Sequence, residues 1–385
     1  MPVIGGFSTD YSSEPVIDPD QSRIQGQPVF VPGKKQISCG GTWNQRGVMP
    51  LTELGQHGDW ETVLSWQFRT LPDGHVELMQ RDGTWVAPDI WTSQRWMSRD
   101  AKEQFLRARA AGIKVVAELD DDFWSLGKTN VAFHTTDPKN NPDFNRDHYW
   151  ESLKVCDAIT VSTEALRKRV ERLGVPTFVL RNAIDITIWP QNDPGDEERW
   201  ISWLGGIQWR SHDLAQLKCA GLPAWLRSHE LGMYHGGNSQ VPGVPKFYEQ
   251  IGIDPTVTPC PMADLCPIWE YPKLWLPVSI SLIPLEKVHF NLAKSWLKSL
   301  ESCAVGVPYI VSAGFHEQNL LIAEGTAGRV ARNDKPRQWL EHLEDLIDPE
   351  LRRKEGAINR AIAEKHDIRI KWTEWDAAYK EIVNL

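Results

Sequence analysis

The sequence predicts an α/β protein with two domains, each built around a parallel β-sheet. The chain has 385 residues of ordinary globular composition, 41% hydrophobic and 24% charged, which is enough for two separate cores. Predicted strands and helices alternate along most of it, and this alternation is typical of parallel sheets covered on both faces. The alternation runs in two series, separated by a segment of linker composition at 186–199.

The first series defines a predicted domain over residues 35–190. Residues 1–34 mix Pro, Gly, Ser and Asp with little periodicity, so we expect an irregular N-terminal arm before it. Within the domain the patterns predict strands at 88–94, 113–119, 157–162 and 176–180, and helices at 100–111, 147–155 and 163–174.

The second series defines a predicted domain over residues 200–368. Its predicted strands are 200–206, 278–285 and 307–313, with a helix from about Asn291 and charged helices through 336–364. The chain closes with a helix at 370–383, in a segment (369–385) that we expect to cross back to the first domain.

Charge argues against a dedicated nucleic-acid binder. The formal net charge is −9, and neither half of the chain is net positive. Nucleic-acid binding draws much of its affinity from the neutralisation of phosphates by Lys and Arg. A local basic groove remains compatible with these numbers.

The ends and the cysteines favour a cytoplasmic protein. No stretch approaches the roughly 18 apolar residues of a membrane span, and MPVIGGFSTD lacks the features of a signal peptide. The six cysteines are scattered without zinc-ligand spacing, so we expect free thiols in a reducing compartment. The location is then the cytoplasm, or the host cytoplasm if the chain is phage-encoded.

The segment FNLAKSWLKSLE (290–301) carries the main functional signal. Read as one helix, it has a polar stripe of Asn291, Lys294, Ser295, Lys298 and Glu301 opposite an apolar side. An isolated helix of this kind would simply turn the stripe to water. Here the helix follows a buried strand, so it begins at the carboxyl edge of the sheet, where open α/β folds bind ligands. Two lysines one turn apart repel each other unless they share an anion such as a diphosphate.

Five segments together resemble a GT-B glycosyltransferase of the family 4 type. They are DAITVSTEALRKRVERLG, LRNAIDITIW, WLGGIQWRSHDL, ISLIPLEKVHFNLAKSWLKSLESCAVGVPYIVS and EKHDI, in the family's order. The resemblance covers roughly residues 88–383 and implies two Rossmann-like domains facing each other across a cleft. It also implies that a nucleotide-sugar lies against the second domain and an acceptor against the first.

The resemblance assigns donor-binding residues. Arg210 and Lys294 match the two cations on the donor diphosphate, and both are expected to act in catalysis by stabilising the leaving group. Glycines in two loops would let the backbone approach phosphate: Gly205 and Gly206 in the second domain, and Gly40 and Gly41 in ISCGGTWNQRG (37–47), which resembles the first strand and loop of the first domain. A surface ion pair with Asp213 is the plain alternative for Arg210. Further candidates for the donor pocket are Asn291, Ser295, Lys298 and His235.

The family's paired glutamates are only half present. Glu301 matches the second, expected at the donor ribose, but Ala293 stands where the first belongs. Retention of anomeric configuration is therefore an expectation that the resemblance implies, without its usual sugar-binding carboxylate.

On the acceptor side, Asp120, Asp121 and Asp122 follow a buried strand and should face the cleft. Strand alternation would send Asp120 and Asp122 one way and Asp121 the other. We expect catalytic or acceptor-holding roles, with at least one pKa raised, although a helix N-cap cluster is an equal alternative. The D-x-D pattern suggests a site for a metal ion. GT-B enzymes, however, generally bind no metal ion in this way, so we predict neither metal nor cofactor.

Aromatic and histidine side chains near the same edge are further candidates on the acceptor side. His134 would be a histidine of the cleft, with a surface-loop position as the alternative, and the rings of Trp124, Trp91 and Trp96 would stack on an acceptor.

The sequence therefore predicts a glycosyltransferase that uses a nucleotide diphosphate sugar as donor. Its acceptor would be a glycan, a protein or a hydroxymethylated DNA base. A non-catalytic nucleotide-sugar or glycan-binding relative and an epimerase of the same fold are the alternatives.

Overall fold

The computed structural model describes residues 1–8, 11–15, 37–39, 41–65, 67–80, 83–196, 200–207, 212–236, 245–263, 266 and 268–385. The strands are β1 (Val3–Ser8), β2 (Tyr11–Pro15), β3 (Ile37–Cys39), β4 (Glu61–Ser65), β5 (Phe68–Thr70), β6 (Val76–Met79), β7 (Trp85–Val86), β8 (Ile90–Gln94), β9 (Lys114–Leu119), β10 (Ala158–Val161), β11 (Thr177–Val179), β12 (Trp200–Trp203), β13 (Met233–His235), β14 (Val278–Ile283), β15 (Tyr309–Ser312) and β16 (Arg329–Ala331).

The α-helices are α1 (Gly41–Trp43), α2 (Met49–His57), α3 (Ala101–Ala110), α4 (Val131–Thr136), α5 (Arg146–Leu153), α6 (Glu164–Val170), α7 (Ala215–Ala220), α8 (Leu222–Ser228), α9 (Phe247–Ile251), α10 (His289–Leu292), α11 (Leu297–Ala304), α12 (His316–Ala323), α13 (Gln338–Asp345), α14 (Pro349–Ala363) and α15 (Ile368–Val383). A π-helical turn spans Asn44–Val48, and short 3₁₀ turns include Phe123–Ser125 and Tyr271–Trp275.

The first domain is built on a six-stranded sheet of order β11-β10-β9-β8-β1-β4, in which the paired strands are parallel. Alternate residues of β9 enter different cores, as the period of two requires. Val115, Ala117 and Leu119 join one apolar cluster, and Val116 joins the cluster on the other face. The predicted alternation of strands and helices is therefore present, with both faces covered.

The N-terminal segment departs from the prediction of an irregular arm over 1–34. Val3–Ser8 lies inside the sheet, between β8 and β4, while Ile37–Cys39, predicted as the first strand, pairs with β2 in a separate antiparallel ribbon. Two glycines conceal the strand in the sequence. A Cβ on Gly5 would lie 2.1 Å from the Leu78 side chain, and one on Gly6 would lie 2.6 Å from Leu51. Close packing requires glycine there and removes the apolar run by which strands are recognised.

The second domain is built on a five-stranded parallel sheet of order β13-β12-β14-β15-β16. Its two faces also carry separate cores: Ile280 and Leu282 of β14 face one cluster, and Val278 and Ile283 face the other. The residues that follow β12 and β14 line one cavity together with residues of the first domain, so the carboxyl ends of these strands face that domain. Both domains are thus parallel α/β units, as the sequence predicts.

The last helix, α15, packs on the first domain. Trp375 and Tyr379 are buried in the same cluster as Ile4 and Trp43, and the Tyr379 hydroxyl lies 2.8 Å from Thr92 Oγ1. Asp376 also accepts a hydrogen bond from Trp60 Nε1 at 2.8 Å. The two domains are therefore joined a second time along the chain.

Among the described residues no helix combines the length and the apolar character that crossing a bilayer requires.

Candidate functional site

A cavity of about 830 Å³ lies between the carboxyl edges of the two sheets. The loops that follow β9 and β14 border it from opposite sides. From the first domain it is lined by Gly41, Arg46, Arg95, Asp120, Asp121 and Asn182, among others. From the second it is lined by Gly205, Gly206, Lys294, Ser295, Lys298 and Glu301, among others. Most of the predicted cleft residues that the structure describes therefore meet in one space.

Lys294 bridges this space. Its Nζ donates a hydrogen bond to Asp121 Oδ1 at 2.6 Å and lies 4.2 Å from the centre of the Phe290 ring. Both members of the ion pair are mostly buried, with 16% and 18% of their side-chain surface exposed. The cation of the second domain is thus neutralised by a carboxylate of the first.

The predicted continuous helix over 290–301 is wrong. Helix α10 ends at Leu292 and α11 begins at Leu297, so Lys294 lies in the loop between them and not one turn from Lys298. The loop is held against the first domain: Thr163 Oγ1 donates to the Ala293 carbonyl at 3.1 Å, and Asn182 Nδ2 donates to Ser295 Oγ at 2.9 Å. These interdomain contacts override the helical pattern of the sequence.

Lys298 and Glu301 form a unit of their own on α11. Lys298 Nζ donates to Glu301 Oε2 at 2.8 Å, and the Tyr271 hydroxyl donates to the same oxygen at 2.9 Å. Burial raises the pKa of Tyr271 well above its ordinary value, which keeps the phenol a neutral donor. Glu301 is therefore held at the cavity wall in a defined orientation.

The three aspartates do not alternate as predicted, because β9 ends at Leu119 and they lie beyond it. Asp120 and Asp121 both line the cavity, and Arg95 contacts both: its Nε donates to Asp120 Oδ1 at 2.8 Å, and its Nη2 lies 3.5 Å from Asp121 Oδ2. Burial raises the pKa of Asp120. The positive charge of Arg95 lowers this pKa, and the negative charge of Asp121 raises it further. Asp122 turns away and pairs with Arg169 at 2.9 Å.

Arg95 is a site residue that the sequence interpretation missed. It follows β8 directly and has a φ of 52°, a left-handed conformation that is uncommon for a residue other than glycine. Its guanidinium also donates to Thr42 Oγ1 at 3.2 Å and lies 5.4 Å from the Phe123 ring. The argument that selected Asp120, a polar residue just past a predicted strand, would have found it.

Arg46 was also missed, and it sits deeper. It is buried at 3% exposure, with its Nε donating to Glu118 Oε1 at 2.7 Å and its Nη1 to Asn182 Oδ1 at 3.0 Å and to the Leu180 carbonyl. Burial raises the pKa of Glu118, while Arg46 opposes that rise. No sequence pattern pairs Arg46 with Glu118, since the contact is made by tertiary packing alone.

The glycine loops fit the backbone role predicted for them only in part. Gly205 and Gly206 follow β12 and line the cavity, as does Gly41 at the start of α1. A Cβ on Gly205 would meet the Trp203 ring at 3.0 Å. Gly40 and Arg210 lie outside the described residues.

Two predicted donor-side residues do not line the cavity. His235 is buried with its ring stacked on Phe247 at 4.2 Å, and burial lowers its pKa to about 4. Asn291 is also buried, and its Nδ2 donates to Asp213 Oδ1 at 2.7 Å and to the Glu286 carbonyl at 2.9 Å. Asn291 thus fixes the loop before α10 and has no side-chain surface in the cavity.

The predicted acceptor-side residues Trp124 and His134 contact neighbouring aromatic rings outside the cavity. Trp124 stacks on Tyr149 at 6.0 Å and donates from Nε1 to the Arg146 carbonyl, while the His134 ring packs edge-on against Phe133. None of these predicted residues lines the cavity. Two further tryptophans belong to the core of the first domain: Trp91 and Trp96.

Known proteins resemble this chain in fold and not in sequence. No protein-family model and no curated protein matches the sequence. A glycosyltransferase from Rickettsia africae aligns with a TM-score of 0.51 and 12% identity, over 77% of each chain. HepE of Anabaena in complex with UDP-glucose aligns at 0.53 and 13%, over 85% of this chain and 88% of its own.

A UDP-forming α,α-trehalose-phosphate synthase from Burkholderia xenovorans aligns with a TM-score of 0.55 and 12% identity, over 99% of each chain. At such low sequence identities the structural similarity shows the fold alone. Two parallel α/β domains around a central cleft, together with these neighbours, confirm the predicted GT-B fold.

Proposed function

We propose that this chain, which has the GT-B fold, is a glycosyltransferase that moves a hexose or pentose from a nucleotide diphosphate sugar to an acceptor hydroxyl. The observation that carries the proposal is the composition of the interdomain cavity. Lys294 and Glu301 of the second domain share it with Asp120 and Asp121 of the first. The fold neighbours support the same reading, because one is described with UDP-glucose bound and another as UDP-forming.

The donor would lie against the second domain. Lys294 would neutralise the diphosphate as it leaves, because a fixed cation is worth most where negative charge develops. Gly205 and Gly206 would let the backbone approach the phosphates, with Arg210, Gly40 and Gly41 adding to the same site. The ribose hydroxyls would be hydrogen-bonded by Glu301, whose orientation Tyr271 and Lys298 fix.

The reaction exchanges one bond for another at the anomeric carbon. The bond from that carbon to the β-phosphate oxygen breaks, and a bond from the acceptor oxygen to the same carbon forms. The hydroxyl proton is carried away by the departing diphosphate or by water. We propose retention of configuration and no need for a metal ion or cofactor, in the cytoplasm.

Charge on the acceptor side supports a neutral acceptor, a glycan or a protein hydroxyl, over a modified DNA base. Asp120 and Asp121 line this wall with Arg95, and the charge of Arg46 is balanced by the buried Glu118. Apolar side chains also line it: Met97, Phe123, Leu126 and Phe144. The described residues of this wall carry no net positive charge, so the wall offers a polyanion little electrostatic attraction.

Donor hydrolysis tests the proposal without knowledge of the acceptor. The protein is incubated with UDP-, GDP-, ADP- and dTDP-sugars, with and without EDTA, and release of the nucleoside diphosphate is followed. We expect slow hydrolysis of one donor, unaffected by EDTA and lost in Lys294→Ala. Lys354→Ala, a lysine exposed on α14, is the matched control and should keep the wild-type rate. Absence of hydrolysis with every donor would contradict a transferase.

A non-catalytic nucleotide-sugar or glycan-binding relative is the alternative, and two observations favour it. Ala293 replaces the family's first glutamate, and Lys294 is already paired with Asp121. Donor binding by calorimetry, without turnover of any donor, would favour this alternative.

A further inference from the structure

Asp121 lies between two cations that belong to different domains. Its Oδ1 accepts from Lys294 Nζ at 2.6 Å, and its Oδ2 lies 3.5 Å from Arg95 Nη2. All three side chains line the cavity, and all are more than three-quarters buried, with exposed fractions of 18%, 16% and 23%. One carboxylate thus bridges the proposed donor side to the proposed acceptor side.

A donor diphosphate and Asp121 would both bind the ammonium group of Lys294. Both are anionic oxygen acceptors, and the ammonium of Lys294 already directs a short hydrogen bond at Asp121. A donor phosphate that approaches Lys294 meets a negative charge within hydrogen-bonding distance of its own binding group. Like charges at that separation repel each other in a partly buried site, and this repulsion favours opening of the Lys294–Asp121 pair when the diphosphate binds.

The released carboxylate would remain in the cavity. Arg95 holds its second oxygen, and Arg95 is itself anchored by Asp120, by Thr42 and by the Phe123 ring. The left-handed φ of 52° at Arg95 shows that the backbone is held there by surrounding structure. When its contact with Lys294 opens, Asp121 still has one oxygen near Arg95, and its carboxylate still lines the cavity that would hold both substrates.

We propose that Asp121 is an acceptor-binding residue that becomes available only when the donor diphosphate displaces it from Lys294. The inference rests on the proposed function. It assigns to Asp121 a hydrogen bond from the acceptor hydroxyl, which orients that oxygen towards the anomeric carbon. It also sets an order of binding, in which the donor precedes the acceptor.

The test is a comparison of binding and turnover in Asp121→Asn. Inorganic pyrophosphate is the binding probe, because it needs no knowledge of the base, and affinity is measured by calorimetry at low salt. The variant should bind pyrophosphate about two- to fivefold more tightly, since the competing charge is gone. Its rate constant for hydrolysis of the donor that the wild type turns over should fall about tenfold or more, since water is no longer oriented.

Asp143→Asn is the control. It removes the same charge from an exposed side chain of the first domain and should change neither quantity. Asp121→Ser is the second variant, in case the asparagine protein folds poorly. A merely structural role for Asp121 would weaken both binding and turnover.

Three results would overturn the inference. Unchanged or weaker pyrophosphate binding in folded Asp121 variants would exclude the competition. Tighter binding with faster hydrolysis would make Asp121 an inhibitor and not an acceptor-binding residue. If the wild type binds no pyrophosphate and hydrolyses no donor, the proposed function fails, and the inference falls with it.

Discussion

Lys294 of the second domain and Asp121 of the first form an ion pair across the cleft, with 2.6 Å between Nζ and Oδ1. The pair is formed because the loop between α10 and α11 lies against the first domain, where Thr163 binds the Ala293 carbonyl and Asn182 binds Ser295. The proposed leaving-group cation is therefore part of the contact between the domains. The proposed donor site and the contact between the domains thus share Lys294.

Glu301→Gln should separate ribose recognition from diphosphate recognition. Because Glu301 is proposed at the ribose, the variant should bind the nucleoside diphosphate about tenfold more weakly, the cost of one charge-assisted hydrogen bond. Its affinity for inorganic pyrophosphate, which has no ribose, should change little. Glu381→Gln, on the exposed side of α15, is the control in both titrations. Equal losses for the two ligands would contradict the ribose assignment.

Arg46→Met should destabilise the first domain strongly. The change leaves the Glu118 carboxylate buried without its cation, which typically costs about 3–5 kcal/mol in the free energy of unfolding. Chemical denaturation of the wild type and the variant at pH 7.5 measures the loss. The cost should shrink as the pH falls, because burial already raises the pKa of Glu118 and protonation removes its charge. Arg46→Met/Glu118→Leu should recover part of the loss, and a fully stable single variant would refute the assignment.

Burial of His235 should make the second domain sensitive to acid. Its pKa is lowered to about 4 from an ordinary value of 6.5, so the unfolded chain binds a proton between these values and the folded chain does not. Stability is therefore lost as the pH falls from 6.5 towards 4, by up to about 3 kcal/mol. His235→Phe should flatten this part of the curve of unfolding free energy against pH. His75→Gln, which replaces an exposed histidine of the first domain, is the control. Equal curves for wild type and His235→Phe would contradict the prediction.

A glutamate at position 293, where the glycosyltransferase pattern that the sequence resembles has one, should destabilise the protein. Ala293 is 4% exposed and packs with Phe290 into the core of the first domain, so a glutamate would bury a charge in an apolar contact. We expect Ala293→Glu to lower the free energy of unfolding by about 2–4 kcal/mol in urea titrations. Ala361→Glu, on the exposed face of α14, is the matched control. A variant as stable as the wild type would show that this contact opens easily.

The sequence predicts the strands well where apolar runs are strong. The runs that became β9, β10, β14 and β15 are each buried on both faces, so periodicity and composition identify them. The strand Val3–Ser8 escapes this test because its two central residues are glycines. The carboxyl-edge rule then leads to Asp120, Asp121 and Lys294, because it needs only the order of strands and loops.

What the sequence cannot supply is contact between distant residues. The sequence around Lys294 does not predict its ion pair with Asp121, and the sequence around Arg46 does not predict its ion pair with Glu118. Both ion pairs nevertheless shape the cavity. Local pattern also fails where tertiary contacts break a helix, as at 293–296. The sequence also suggests ligand-binding roles for side chains that belong to the core. Trp91 was predicted to stack on a ligand, but it is buried in the core of the first domain.

A crystal structure with a bound nucleoside diphosphate tests the central claim most directly. The nucleotide is chosen as the tightest binder among the diphosphates of the common bases. The account predicts a β-phosphate oxygen about 3 Å from Lys294 Nζ, ribose hydroxyls at Glu301, and a broken contact between Lys294 and Asp121. A nucleotide bound elsewhere, with the Lys294–Asp121 pair intact, would contradict it.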